Sequence, residues 1–238
     1  MASPAYVTLA LVPGVGRVRL DLLLARFETP EAALAASQAQ LEDVASISPA
    51  CASAIRNAST EHGRKVLDAA AAMGARVLEP RDADFPPALM EIPDAPVLLF
   101  AHGDVSLLSR KAVAMVGTRE QTRYGGEVAR HFAGGCARVG LVVVSGMARG
   151  VDASVHTAAM DAGGGTVGVL GNGLGMVYPS ANAALYERVA REGCLLTEYP
   201  PGDKPHAGSF PRRNRLISGL ARITLVVEAG DKSGAEQR

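Results

Sequence analysis

Three guanidinium groups, on Arg212, Arg213 and Arg215, are gathered around Asn214 in "SFPRRNRLISG" (209–219), directly ahead of the apolar run "ITLVVEA". A guanidinium is a planar fork of N–H donors that matches phosphate or carboxylate oxygens in pairs, so the cluster points to anion binding. Four other segments share its texture: "VGTREQTRYG" (116–125), "SGMARGVD" (145–152), "LGNGLGMVYPSAN" (170–182) and "EAGDKSG" (228–234). The first two add arginine to glycine and hydroxyl groups, and the third adds amides. Glycine lets main-chain N–H groups come close to a ligand, and a helix start adds partial positive charge. Read singly, each glycine loop is equally a tight turn, and a solvated or salt-bridged face is the lesser reading for the arginines; read together, they make an anion site.

The elements that would position these residues recur with a regular rhythm. Apolar runs "KAVAMVG", "GLVVVSG", "GTVGVLG", "GCLLTEY" and "ARITLVVEAG" alternate with segments of helical periodicity. Nearly continuous apolar strands alternating with helices predict a parallel sheet covered on both faces, a doubly wound, Rossmann-like α/β domain. In such a sheet the ligand lies outside the carboxyl ends of the strands, where the glycine- and arginine-bearing loops fall. Pro211 suits the first turn of a helix and Ser209 the position before it. Helical spacing puts Arg212, Arg215 and Arg222 on one side, facing the cleft, with Leu216, Ile217 and Leu220 on the packing side. Arg213 falls inside the apolar arc and must emerge at the helix end or be paired, with Glu198 the candidate. Asp152 is expected as a helix N-cap, and His131 and His156 as structural residues.

Upstream the texture differs. Residues 1–74 carry only helical patterns and predict a small all-α domain; 75–104 form a Pro-rich extended connector in which "PVLLFAHG" is a candidate strand; 105–238 form the Rossmann-like domain. In the first segment "LALVPGVGRVRL" resembles the turn of helix-hairpin-helix modules, which makes Gly14 and Gly16 a weaker DNA contact; a plain interhelical turn is the other reading. The chain of 238 residues is formally neutral, with 8 Lys/Arg against 12 Asp/Glu in residues 1–100 and 16 against 12 in the rest. A basic cleft is compatible with that neutrality. Cys51, Cys136 and Cys194 are odd in number and without metal-ligand spacing, and no run approaches the roughly 18 apolar residues of a membrane span. A soluble, cytoplasmic protein with no metal and no cofactor is expected. GxxxxGK[ST] is absent, and so is any nucleophile, base or metal cage, so the site reads as binding rather than catalysis.

Taken in order, "FPPALMEIPDAPVLLFAHGD", "VGTREQTRYG", "SGMARGVDASVH", "GNGLGMVYPSAN", "LLTEYPPG", "FPRRNRLISGLA" and "VVEAGDKSG" resemble the DNA-processing protein A (DprA or Smf) family, the bacterial recombination mediators of natural transformation. The resemblance implies a Rossmann-like domain that binds single-stranded DNA behind a small sterile-alpha-motif-like domain. It also implies homodimers, and loading of the RecA recombinase onto strands covered by single-strand-binding protein. Carried over by position, the phosphate pocket would use Gly117, Thr118, Arg119, Ser145, Gly146, Arg149, Gly150, Gly171, Asn172 and Gly173. Phe210, Arg212, Arg213, Asn214 and Arg215 would complete it, with Phe210 stacking on a base. Two departures stand out. Ser180 follows "YP" where many relatives carry Lys or Arg, and the chain stops at "AEQR" where the family continues with a helix, a strand and often a winged-helix-like domain. A truncated C-terminus with an exposed sheet edge is therefore expected. Two rival readings are a nucleoside monophosphate phosphoribohydrolase-like enzyme, whose "PGGxGTxxE" signature is lacking here, and an interaction scaffold.

Overall fold

The computed structural model describes residues 2–230; the "DKSG" part of the segment "EAGDKSG" and the chain end lie outside the described residues. The first third is helical: α1 (Pro4–Leu11), α2 (Arg17–Phe27), α3 (Pro30–Ala35), α4 (Gln38–Glu42), α5 (Pro49–Arg56) and α6 (Thr60–Ala72). Their starts are written in the sequence. The hydroxyls of Ser3, Thr29, Ser37, Ser48 and Ser59 accept from main-chain N–H groups two or three residues on, and Pro4, Pro30 and Pro49 open α1, α3 and α5.

Seven strands follow among the described residues: β1 (Arg76–Leu78), β2 (Leu99–Gly103), β3 (Ala112–Val116), β4 (Val142–Ser145), β5 (Thr166–Val169), β6 (Cys194–Thr197) and β7 (Thr224–Val226). They form one sheet in the order β1-β2-β6-β5-β4-β3-β7. Strands β3 to β7 run parallel, while β2 is antiparallel to both β1 and β6. The interleaved helices are α7 (Arg123–Arg138), α8 (Val151–Asp161), α9 (Ala183–Glu192) and α10 (Ser209–Gly219). Strand alternation sorts the core into two faces: Val113, Met115 and Val143 pack with α7 and α8, while Ala114, Val116, Val142 and Val144 pack with Leu216, Ile217 and Leu220.

The segment 75–104 does more than span a gap. It supplies β1 and β2, which extend the parallel sheet antiparallel, and Phe85 and Leu89, which enter the α10-side core. The helical module is joined to the sheet through a continuous apolar cluster in which Leu9, Leu20 and Leu23 share contacts with Leu98, Phe100, Leu174 and Leu195. Tyr6 Oη also donates to the Val97 carbonyl at 2.9 Å. Two local expectations change. Helix α10 is capped by Gly208 and begins at Ser209, whose hydroxyl donates back to the His206 carbonyl at 2.8 Å. It ends at Gly219, so Arg222 lies beyond the helix and does not share a face with Arg212 and Arg215. Among the described residues no helix is long and apolar enough to cross a membrane, and no His/Cys/Asp/Glu group could hold a metal.

Candidate functional site

At the carboxyl ends of β3, β4 and β5 lies a hollow of about 290 Å³, lined by Arg119, Gly146, Arg149, Tyr178, Phe210 and Arg213 among others. Its walls are loops tied to one another. Thr118 accepts from Val151 N at 3.1 Å and donates its own N–H to the Glu228 carbonyl at 2.7 Å, which locks the turn after β3 to the start of α8 and to the segment after β7. The Glu228 carboxylate accepts from Thr122 N at 3.0 Å, where Thr122 caps α7. Gly150 enters α8 at φ 76°, in left-handed backbone, and a Cβ there would collide with the Thr118 carbonyl.

Arg213 is 7% exposed. Its Nη1 donates to the Val169 carbonyl at the end of β5, and its Nε has no partner. The guanidinium lies flat against the β4–α8 turn: a Cβ on Gly146 would fall 2.6 Å from Nη2, so the turn accepts the fork only because residue 146 has no side chain. Burial lowers the Arg213 pKa, the Asp152 carboxylate opposes that shift, and Arg119 adds to it. Asp152 is itself pushed up by burial and held down by Arg213 and by the N–H of Ala148, which donates to it at 3.3 Å. His156, fully buried on the same helix, is held neutral, with a pKa lowered to about 3 by burial and by Arg213. Its Nδ1 lies 2.6 Å from Thr166 Oγ1, a structural link between α8 and β5.

At the rim, Arg119 lies over the Phe210 ring with Cζ 5.8 Å from the centroid, and Phe210 packs on Tyr178 at 5.3 Å between centroids. Arg149 is exposed and forms no hydrogen bond or ion pair among the described residues. No Asp or Glu lines the hollow among the described residues. Three guanidinium groups, one of them buried with an unpartnered N–H, thus face a space without a carboxylate acceptor on its wall. Such a space suits an anion, and the aromatic rim suits a flat ring above it.

The expected residues divide into those that reach this hollow and those that build it. Arg119, Gly146, Arg149, Gly171, Asn172, Phe210 and Arg213 line it. Gly117 and Thr118 hold the turn, Gly150 starts α8, and Ser145 is fully buried beneath. Asn172 is 1% exposed and spends its amide on the carbonyls of Gly173 and Met176 at 3.0 and 2.6 Å. Gly173 packs against the main chain of residues 200–203, away from the hollow. Asn214 lies outside the lining, with its carbonyl accepting from Ser218 at 3.3 Å. The expectation that Arg213 pairs with Glu198 is corrected: Glu198 takes both its oxygens to Arg215 Nη2 at 2.6 and 2.7 Å. Asp152 is no N-cap; it is the second residue of α8, capped by Gly150, and accepts from the preceding loop.

The three arginines therefore do not share one cleft. Arg212 and Arg215 line a second hollow, together with Arg17, Arg19 and the Pro13–Gly16 turn. Sequence reasoning missed Tyr178, and its signal was available: an aromatic in the glycine-rich loop that leaves β5.

The sequence profile described as DNA recombination-mediator protein A matches residues 76–237. The DNA processing protein DprA of Bacillus subtilis is 40% identical over 172 residues, covering 72% of this chain and 58% of its own length. The X-ray structure of DNA processing protein A from Streptococcus pneumoniae superposes with a TM-score of 0.82 at 31% identity, over 98% of this chain and 80% of that one. DNA processing protein A from Helicobacter pylori, whose structure is described for its unique single-stranded DNA binding mode, superposes at 0.62 with 33% identity, over 68% of this chain and 72% of that one. The chain spans about half the length of the curated relatives it matches. With most of its length matched by the profile, this chain belongs to the DNA recombination-mediator protein A family.

Proposed function

We propose that the chain binds single-stranded DNA, with backbone phosphate held in the hollow between Arg119, Arg149 and Arg213 and an unstacked base against Phe210. The observation that carries this reading is the convergence of three guanidinium groups on a space with no carboxylate on its wall among the described residues. The aromatic rim supports single strand over duplex, because only an unpaired base offers its face for stacking. By family, the protein would act in the cytoplasm as a homodimer that protects incoming strands and passes them to RecA, with single-strand-binding protein as a further partner. It would do so as a binding protein rather than an enzyme.

Three phosphate contacts to a single strand correspond to a log K against log salt slope of about −2. Anisotropy of labelled oligo-dT over a salt series, beside a duplex of equal length, measures this. Preference for the single strand and a slope of about −2 or steeper are expected. Salt-independent binding, or equal affinity for duplex, would overturn the reading.

A further inference from the structure

We propose that the second hollow, between the α1–α2 turn and the outer side of α10, is a further phosphate site that holds the single strand where it runs on from the Arg213 pocket. The inference rests on the reading that DNA phosphate occupies that pocket.

The hollow measures about 500 Å³ and lies where the helical module meets the Rossmann-like domain. Four arginines line it, Arg17, Arg19, Arg212 and Arg215, against two carboxylates, Asp94 and Glu198. Both carboxylates are taken up by one of the four. Arg215 donates Nη2 to Glu198 at 2.6 Å and Nε to Asp94 at 3.0 Å. Arg17 is answered by Asp21 at 2.6 Å, and Arg19 holds the carbonyls of Ser46 and Gly14 at 2.8 and 2.5 Å. The Arg212 guanidinium is left exposed and makes no hydrogen bond or ion pair among the described residues, though its charge helps to hold down the Glu198 pKa. Arg215 Nη1 and Tyr199 Oη are buried without a partner. Donors outnumber acceptors, and a ligand with acceptors only, such as a phosphodiester, corrects that imbalance.

The opposite wall fits the same ligand. Gly14 sits at φ 87°, where glycine is required, but Gly16 does not: its φ is −100°, and a Cβ there would meet nothing within 4 Å. Gly16 caps α2 without a side-chain hydrogen bond. A bare residue at this point keeps the approach to the first N–H groups of α2 open from the hollow. Among the described residues Tyr199 is the one aromatic lining side chain, so the hollow is equipped for backbone rather than for a row of stacked bases.

Helix α10 connects the two sites. Successive residues of a helix are turned by about 100°, so Arg213 looks into the first pocket while Arg212 and Arg215 look into the second. A helix is about 10–12 Å across with its side chains, a distance that about three to four nucleotides of a single strand can cover. A strand rounding the N-terminal end of α10 would meet Arg213 and then Arg212, and a strand too short to round it would meet the first pocket alone.

That difference in length is the test. Anisotropy with labelled oligo-dT of about 2 and about 16 nucleotides, and with a labelled acidic peptide, would be measured on the full chain and on two variants, Arg212→Glu and Gly16→Asp. Both positions are exposed, and Asp is a favoured N-cap, so Gly16→Asp should fold with unchanged or slightly raised thermal stability while placing a carboxylate where phosphate would sit. Each variant is expected to bind the short strand within about twofold of wild type and the long strand about tenfold more weakly, with a shallower salt slope. Long-strand binding unchanged in both variants would overturn the proposal while leaving the first pocket intact. So would a loss of affinity for an acidic peptide alone, which would make the hollow a protein-docking site. Wild type binding neither strand would overturn the pocket reading, and the proposal with it.

Discussion

A buried guanidinium that donates to one carbonyl, faces one carboxylate and keeps an unpartnered Nε is short of acceptors, and Arg213 is held in that condition against the Gly146 turn. The same burial fixes the neighbouring imidazole. The His156 pKa is lowered to about 3 in the folded chain, against 6.5 for a free side chain. As pH falls, the unfolded chain takes up the proton first. The stability contributed by the neutral ring is therefore complete above about pH 6.5 and is lost progressively toward pH 3, on the order of 4–5 kcal/mol across the window. Urea unfolding between about pH 7.5 and pH 4 should show wild type losing stability more steeply than His156→Gln. Parallel slopes would mean that the ring is protonated in the native state. Only part of this was legible in the sequence, which marked His156 as structural but not its partners. Helical spacing shows that Arg213 faces inward, but its acceptor, the Val169 carbonyl, and the facing Asp152 charge come from elements that only the fold brings near, and Glu198 is taken by Arg215 instead.

The element that decides the pocket is the turn from β4 into α8. Its four residues after Ser145, "GMAR", run from a glycine that lies against Arg213 to an arginine that reaches the rim. Gly146 is at a backbone conformation open to alanine, so Gly146→Ala should fold. The new methyl group would fall 2.6 Å from Nη2 and 2.7 Å from Cζ of Arg213, and the guanidinium, not the turn, must move. The expected outcome is a drop in oligo-dT affinity of about tenfold with a change in thermal midpoint of only a few degrees. A large loss of stability with affinity preserved in the folded fraction would show that the glycine serves the turn alone. Glycine and arginine after a strand end marked this loop in the sequence as a candidate only in company with the other loops, since read alone it is equally a tight turn. They did not announce which glycines face the ligand, and Gly173, packed on residues 200–203, shows how alike the two kinds look.

At the scale of the whole molecule, the parallel strands were the most readable feature, since strands buried on both faces leave long apolar runs between helices. The antiparallel extension by β1 and β2 was less so, because proline restricts the flanking backbone and the strands themselves are only 3 and 5 residues long. The helical module and the sheet share one apolar cluster, so the Pro13–Gly16 turn and the start of α10 are held in fixed relation across the second hollow. The opening arginine cluster thereby serves two sides of one helix, which no one-dimensional pattern separates. The first of those sides carries the proposed phosphate pocket. Its most direct test is the affinity and salt slope of Arg119→Ala and Arg149→Ala for labelled oligo-dT, because both side chains are exposed and their loss should leave the fold intact. Each substitution is predicted to weaken binding about tenfold and to make the slope shallower by about 0.7. Wild-type affinity and slope in both variants would contradict the account and place the DNA elsewhere.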